Sequence, residues 1–328
     1  MIKSYANDIS RHSVVGTVRS QAKADKIKKA HSEAGDKLSF VIVEDIAQPG
    51  AFDKAVVSDP PFEAVLHTAS PFHFNVKDVQ KELLDPAVIG TTGCLKAIKA
   101  HAPSVKRVVI TSSFAAIINP HKGLWPGHTY SESDWNPLTQ EEAVQNPSNG
   151  YRASKTFAER AAWEFVEKEK PNFTISTINP PLVFGPVVNY LNDSLDALNT
   201  SNERVRDLIQ GKSKGASEIP ETGIFIWVDV RDIANAHVKA MGSEEAAGKR
   251  FFIVADKPFC NRDLVNVVRK DFPQYADKLP KEDATGGDFP DKFFDFDNSR
   301  SKKILGMEYM KLDKSIKDLV VSLEHIGV

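Results

Sequence analysis

Short apolar runs alternate with amphipathic stretches through the first half of the chain. The runs SVVGTV (13–18), LSFVIV (38–43), AVLHTA (64–69), RVVITSS (107–113) and FTISTINP (173–180) are mostly continuous rather than alternating. Continuous apolar runs of this length predict parallel strands covered on both faces. Between them the spacing is helical: 21–34, about 78–101 with Leu83, Leu84, Val88 and Leu95 along one side, and 148–169. Ile2, Tyr5, Ala6 and Ile9 give the first residues a helical spacing as well. Alternation of this kind is the rhythm of stacked βαβ units and predicts an α/β fold with a Rossmann-like, doubly wound parallel sheet.

Beyond residue 185 the rhythm changes to longer loops and helices at 203–210, 229–242, 261–272 and 313–325, punctuated by proline and glycine at 180–186 and 280–290. The expected organisation is a dinucleotide-binding domain over 1–184 that also receives parts of about 220–256. Residues 185–328 are expected mainly to build a smaller substrate lobe on the carboxyl edge of the sheet. No linker marks two independent domains.

The 328 residues carry 41 % hydrophobic and 26 % charged side chains and a formal net charge of -2. That balance argues against a dedicated nucleic-acid or membrane surface, which needs a basic excess. Cys94 and Cys260 lie far apart without CxxC spacing and read as reduced thiols rather than a disulfide framework or a zinc site. The nine histidines show no HxxxH or HxH pairing, so no metal is expected. No run of about 18 apolar residues and no apolar signal segment occurs, which makes the cytosol the default compartment.

The strongest chemical signal is GYRASKTFAER (150–160). Tyr151 and Lys155 are four apart on a predicted helix and share a face. An ammonium near a phenol stabilises the phenolate, so such a tyrosine can exchange a proton with a carbonyl or alcohol oxygen. Upstream, VVITSSFAA ends a predicted strand with Ser112 and Ser113. The carboxyl end of a parallel strand is where open α/β sheets present groups to ligands, so Ser113 is placed to donate to the same oxygen. Asp229 or Asp232 in VDVRD is expected to cap a helix.

With these motifs in one order, and with VVGTVRSQAKADKI, VLHTASPF, INPPLVFGP, LNTS, VDVRDIANAH and SKKILG around them, the chain resembles an extended short-chain dehydrogenase/reductase. It looks closest to the branch of dihydroflavonol reductases and fungal NADPH-dependent carbonyl (methylglyoxal-type) reductases. The resemblance runs from His12 nearly to the end. It implies reduction of an aldehyde or ketone to an alcohol, with Ser113 polarising the carbonyl, Tyr151 protonating it, and Lys155 lowering the tyrosine pKa while holding the nicotinamide ribose. The stretch NPSNGYRASK differs from the NWYCYGK of cinnamoyl-CoA reductases and argues against that activity. Val88 and Ile89 stand where many members of the family carry a relay asparagine.

Cofactor choice follows from charge. A carboxylate after the second strand accepts from a ribose 2′-hydroxyl and repels a 2′-phosphate. Here Arg19 follows the strand and Lys23 comes one helical turn later, which favours NADPH over NADH. The resemblance adds Asp45 and Ile46 toward adenine, Ala69 and Ser70 along the cofactor, Val183 at the nicotinamide amide, and Ser201 of LNTS. Substrate-facing candidates are Phe72, Phe114, Leu182, Tyr190 and Trp227, suited to a small apolar carbonyl compound. The chain is expected to act as a monomer or homodimer.

The resemblance also predicts an opening strand and a G-x-x-G-x-x-G loop against the pyrophosphate. The first eleven residues, MIKSYANDISR, contain no glycine and fall in register with the helix after that loop. The first strand, central in such a sheet, and the loop glycines are therefore expected to be absent. Beside a working reductase this leaves a cofactor-impaired isoform or pseudoenzyme acting by binding. A sugar-nucleotide epimerase or dehydratase is the further alternative, disfavoured by Arg19.

Overall fold

The computed structural model describes residues 12–70, 76–188, 190, 195 and 198–327. Its strands in chain order are β1 (Val14–Val18), β2 (Leu38–Ile42), β3 (Ala64–His67), β4 (Arg107–Thr111), β5 (Thr129–Tyr130), β6 (Thr174–Asn179), β7 (Leu182–Phe184), β8 (Glu218–Ile219), β9 (Trp227–Asp229), β10 (Arg250–Phe252), β11 (Thr285–Gly286) and β12 (Asp295–Phe296). The helices are α1 (Gln21–Ala30), α2 (Asp85–His101), α3 (Gln140–Ala143), α4 (Pro147–Glu169), α5 (Thr200–Ile209), α6 (Val230–Gly242), α7 (Asn261–Asp271), α8 (Ser299–Leu305) and α9 (Leu312–Glu324). Two compact units divide these elements. One runs to Asn179 and takes back 235–252 and 294–306; the other holds 180–234, 253–293 and 307–328. The chain passes into the second unit at Asn179–Pro180 rather than after residue 184.

All ladders of the first unit are parallel. β1 pairs with β2 from Val14↔Leu38 to Val18↔Ile42. A second sheet has the order β10-β6-β4-β3. Among the described residues β1 pairs only with β2, and β3 only with β4. The expected helix at the start of the chain lies outside the described residues. The continuous apolar runs are explained by the layers around them: Leu95 and Ile98 of α2, Ala162 and Phe165 of α4, Val108 and Ile110 of β4 and Ile175 of β6 form one buried cluster, joined by Val43 and Phe52. Helices α1 and α4 begin where the sequence supplies a cap, whereas α2 continues from a π-helical turn, Gln80–Leu84, without a side-chain cap. Ser20 accepts the Lys23 amide at α1, and Asn146 accepts the Asn149 amide at α4, with Pro147 in the first turn. Cys94 is fully enclosed on α2, and burial pushes its thiol up to about 12.

The second unit is built on a parallel pair, β7 with β9, in the register Leu182↔Trp227 to Phe184↔Asp229. Helices α5, α7 and α9 cover it through Val205, Ile209, Leu264, Val268, Ile316 and Leu319. Next to this pair the chain turns at Gly185, whose φ of +126 disfavours side chains, and a Cβ there would lie 2.9 Å from an Asp229 carboxylate oxygen. Asp229 is completely buried and accepts from the Arg231 backbone amide, from Nε and Nη2 of the Arg231 guanidinium, and from the Ser315 hydroxyl. Asp232, in the first turn of α6, accepts the Met310 amide at 2.9 Å, and burial raises its carboxyl to about 6.

Two stability measurements follow. Ile98 is wholly buried between α2 and the sheet, so Ile98→Ala should lower unfolding free energy by about 2–5 kcal/mol in urea; a loss well under about 1 kcal/mol would contradict this seating of α2. The raised Asp232 carboxyl means its charged form opposes folding, a cost that sets in as pH climbs from the unfolded value toward the folded one. Asp232→Asn should therefore raise the melting temperature near pH 8 and give no gain near pH 4.

Candidate active site

Three elements of the first unit bring the chemistry together. β4 ends at Thr111, and Ser112 carries the ladder one step further by donating its amide to the Ile178 carbonyl. Ser113 is extended and starts the 3₁₀ turn Phe114–Ala116, where its hydroxyl accepts the Ala115 amide at 3.1 Å. Opposite it, α4 presents Tyr151 and Lys155 one turn apart. Gly150 precedes Tyr151 because space is lacking: a Cβ there would collide with a Val79 methyl.

The Ser113 hydroxyl is hydrogen-bonded to the Tyr151 phenol, which lowers the phenol pKa, yet burial is the larger effect and holds it above its ordinary value. The Lys155 ammonium lies 5.8 Å from the centre of the Tyr151 ring. Burial draws Lys155 down to about 8. The dominant influence on the phenol is thus burial rather than the ammonium, opposite in direction to the expectation from sequence. The result is a tyrosine that keeps its proton at neutral pH beside a lysine close to half-charged at pH 8.

His67 ends β3 with its ring buried against the edge of Phe52. Burial and the nearby Lys155 pull its pKa to about 4, so it is neutral, and its Nε2 has no hydrogen-bond partner. Ala69 and Ser70 follow it and are half-buried. Arg19 and Lys23 are both exposed, one just after β1 and the other in the first turn of α1. Asp45 follows β2, accepts from the Ala47 amide and the Gln48 side chain, and is held below the usual carboxylate range by those bonds, with Arg19 contributing. Ile46 lies against α2 at Gly90, where a Cβ would meet its side chain at 2.9 Å.

In the second unit, Val183 and Ser201 are neighbours: the Ser201 hydroxyl accepts the Val183 amide at 3.0 Å, and Asn199 donates to the Val183 carbonyl. Leu182 and Tyr190 are half-buried. Phe72 lies outside the described residues. Two substrate candidates are corrected. Phe114 is stacked on Phe252 and edged by Tyr130, which makes it core. Trp227 is buried with its indole N–H satisfied by the Lys257 carbonyl, and it too is core.

With this geometry in place, comparison with known proteins is decisive. The model of the NAD dependent epimerase/dehydratase family matches residues 4–255. The chain belongs to this family. It is 47 % identical to ketoreductase azaE of Aspergillus niger, over 95 % of this chain and 90 % of that protein. It is 45 % identical to the putative NADPH-dependent methylglyoxal reductase GRP2 of Candida albicans, over 95 % and 91 %. Gre2 from Candida albicans, solved in complex with NADPH, superposes with a TM-score of 0.90 at 38 % identity, covering 100 % of this chain and 95 % of that one.

The residues of this family member fit a nicotinamide dinucleotide. The orphaned, buried Nε2 of His67 belongs to a ring within electrostatic reach of the Lys155 ammonium, which lies beside the Tyr151 ring and has no carboxylate partner among the described residues. A ribose hydroxyl is the kind of group both can bond. No group of three His, Cys, Asp or Glu side chains gathers to hold a metal among the described residues. The stretch VLHTASPF pointed to Ala69 and Ser70 and not to His67 within it. Asn179 and Glu159 were missed as well, although Glu159 stands four residues beyond Lys155 on the same face.

Arg19→Ala should weaken NADPH binding about 10-fold and leave NADH binding nearly unchanged, measured by calorimetry. An equal loss for both cofactors would contradict a 2′-phosphate contact.

Proposed function

We propose that this chain reduces aldehyde and ketone carbonyls to alcohols at the expense of NADPH, with Ser113, Tyr151 and Lys155 as its catalytic residues. The observation that carries the reading is the hydrogen-bonded Ser113–Tyr151 pair with the phenol still protonated. A proton donor is what reduction of a carbonyl requires.

Bound NADPH supplies the hydride that attacks the carbonyl carbon. The remaining work belongs to the chain. Ser113 donates to the substrate oxygen and draws charge onto it. As the carbon–oxygen double bond becomes single, the O–H bond of Tyr151 breaks and its proton forms the new alcohol. The phenolate left behind is held by the charge of Lys155, and solvent returns the proton. Arg19 and Lys23 take the 2′-phosphate; Asp45, Ile46, Ala69, Ser70, Val183 and Ser201 contact the rest of the cofactor. Leu182, Tyr190 and Phe72 favour a small apolar carbonyl compound.

Supporting this over epimerase or dehydratase chemistry are the relatives at 45–47 % identity, both carrying reductase names, and the basic side chain after β1. A near-neutral formal charge speaks for a small-molecule substrate rather than nucleic acid. No helix among the described residues is long and apolar enough to cross a membrane. We place the enzyme in the cytosol, as a monomer or homodimer.

The test is NADPH oxidation with methylglyoxal and a panel of small aldehydes. Tyr151→Phe should cut kcat by about 10²–10⁴-fold while NADPH binding stays within a few-fold. kcat/KM for reduction should fall as pH rises through about 8, where Lys155 loses its charge. A Tyr151→Phe enzyme that turns over normally would overturn the assignment.

A further inference from the structure

Behind the candidate site lies a buried polar cluster that the reaction itself does not use. Glu159, 1 % exposed, is on α4 two turns beyond Tyr151, with Lys155 midway on the same face. One of its oxygens accepts from Arg250 Nε at 2.6 Å, the Thr177 hydroxyl at 2.9 Å and the Trp163 indole at 3.3 Å. The other accepts from the Ser112 hydroxyl and from Asn179 Nδ2 at 2.7 Å. Arg250 is in turn spent on the Glu132 and Asp134 carbonyls at 2.7 Å, with its guanidinium 3.7 Å from the Trp135 ring centre.

Asn179 is the hinge of this arrangement. It is completely buried at the end of β6. Its NH₂ group is shared between the Glu159 carboxylate at 2.7 Å and the Ser113 backbone carbonyl at 3.3 Å, two acceptors that fix which way the amide points, while its side-chain oxygen competes with Glu159 for the single proton of the Thr177 hydroxyl. One amide thus ties the helix that carries Tyr151 to the residue that must meet Tyr151. An amide is suited to this because its two N–H bonds diverge at a fixed angle. The Ser113 carbonyl also accepts the Ala116 backbone amide at 3.0 Å within the 3₁₀ turn, and Asn179 is the side chain that ties it to β6.

We propose that Asn179, anchored on Glu159, is a positioning residue that sets the Ser113 hydroxyl against the Tyr151 phenol. The inference rests on carbonyl reduction for its kinetic consequence, but the geometry it claims is measurable without turnover. A carboxylate surrounded only by donors keeps its place rigidly, and α4 transmits that place to Tyr151 about 12 Å along the helix. Removing the amide leaves the Ser113 carbonyl to the Ala116 amide alone and lets Ser113 shift relative to Tyr151, and a misplacement of about 1 Å costs rate rather than cofactor affinity.

The test uses the full chain with tyrosine labelled at the ring carbon bearing the hydroxyl, whose NMR shift senses the Ser113 hydrogen bond at neutral pH. Asn179→Ala should move the Tyr151 resonance to the position it takes in Ser113→Ala. Ser176→Ala serves as the control, since Ser176 is a buried neighbour whose hydroxyl donates to the Ala246 carbonyl at 2.6 Å and touches none of this cluster. It should leave the resonance where it is. In assays, Asn179→Ala should lower kcat by about 10- to 100-fold with KM for NADPH little changed, and should add almost nothing on a Ser113→Ala background. A Tyr151 resonance unmoved by Asn179→Ala, or moved equally by Ser176→Ala, would overturn the proposal, as would losses that simply multiply with Ser113→Ala. If wild type reduces no carbonyl, the functional reading fails, and the resonance still decides the positioning claim.

Discussion

A carboxylate cannot be buried without donors around it, and Glu159 gathers its donors from four directions at once. Ser112 comes from the end of β4, Thr177 and Asn179 from β6, Arg250 from β10, and Trp163 from the same helix as the carboxylate. Removing its charged partner Arg250 would cost on the order of 3–5 kcal/mol. Strands β4, β6 and β10 and helix α4 are therefore obliged to meet in one register. The place of Tyr151, Lys155 and Ser113 follows from that obligation.

Burial then does the chemical tuning. It raises the phenol, lowers the ammonium and keeps the imidazole of His67 neutral. All three shifts disfavour charge, as a site screened from water must. The combined effect is a protonated acid next to a weakly held positive charge, a pairing suited to giving a proton to an oxygen that is becoming an alkoxide. In the second unit a comparable knot, Asp229 with Arg231 and Ser315, fixes the β7–β9 pair and the backbone of Val183 near it.

The long elements were legible because their period is set by burial on a sheet. The runs at 38–43, 107–113 and 173–180 became β2, β4 and β6 within a residue or two, and 148–169 became α4. The three-residue strands β7, β9 and β10 were not, since three residues carry no period. Tyr151, Lys155 and Ser113 could be read from spacing and strand position. Phe114 and Trp227 misled because an aromatic residue next to a motif looks the same whether it lines a pocket or fills a core; only their packing on Phe252 and the Lys257 carbonyl separates the two. Glu159 and Asn179 were invisible as a pair, being 20 residues apart and joined only by the crossover from α4 to β6.

The most direct measurement of the central claim is isotopic. NADPH deuterated at its transferable position is incubated with the full chain and a small aldehyde, and the alcohol is examined by mass spectrometry. The account predicts one deuterium on the former carbonyl carbon, and none on that carbon when unlabelled NADPH is used in heavy water. Alcohol formed without the label, or with solvent deuterium on that carbon, would contradict it.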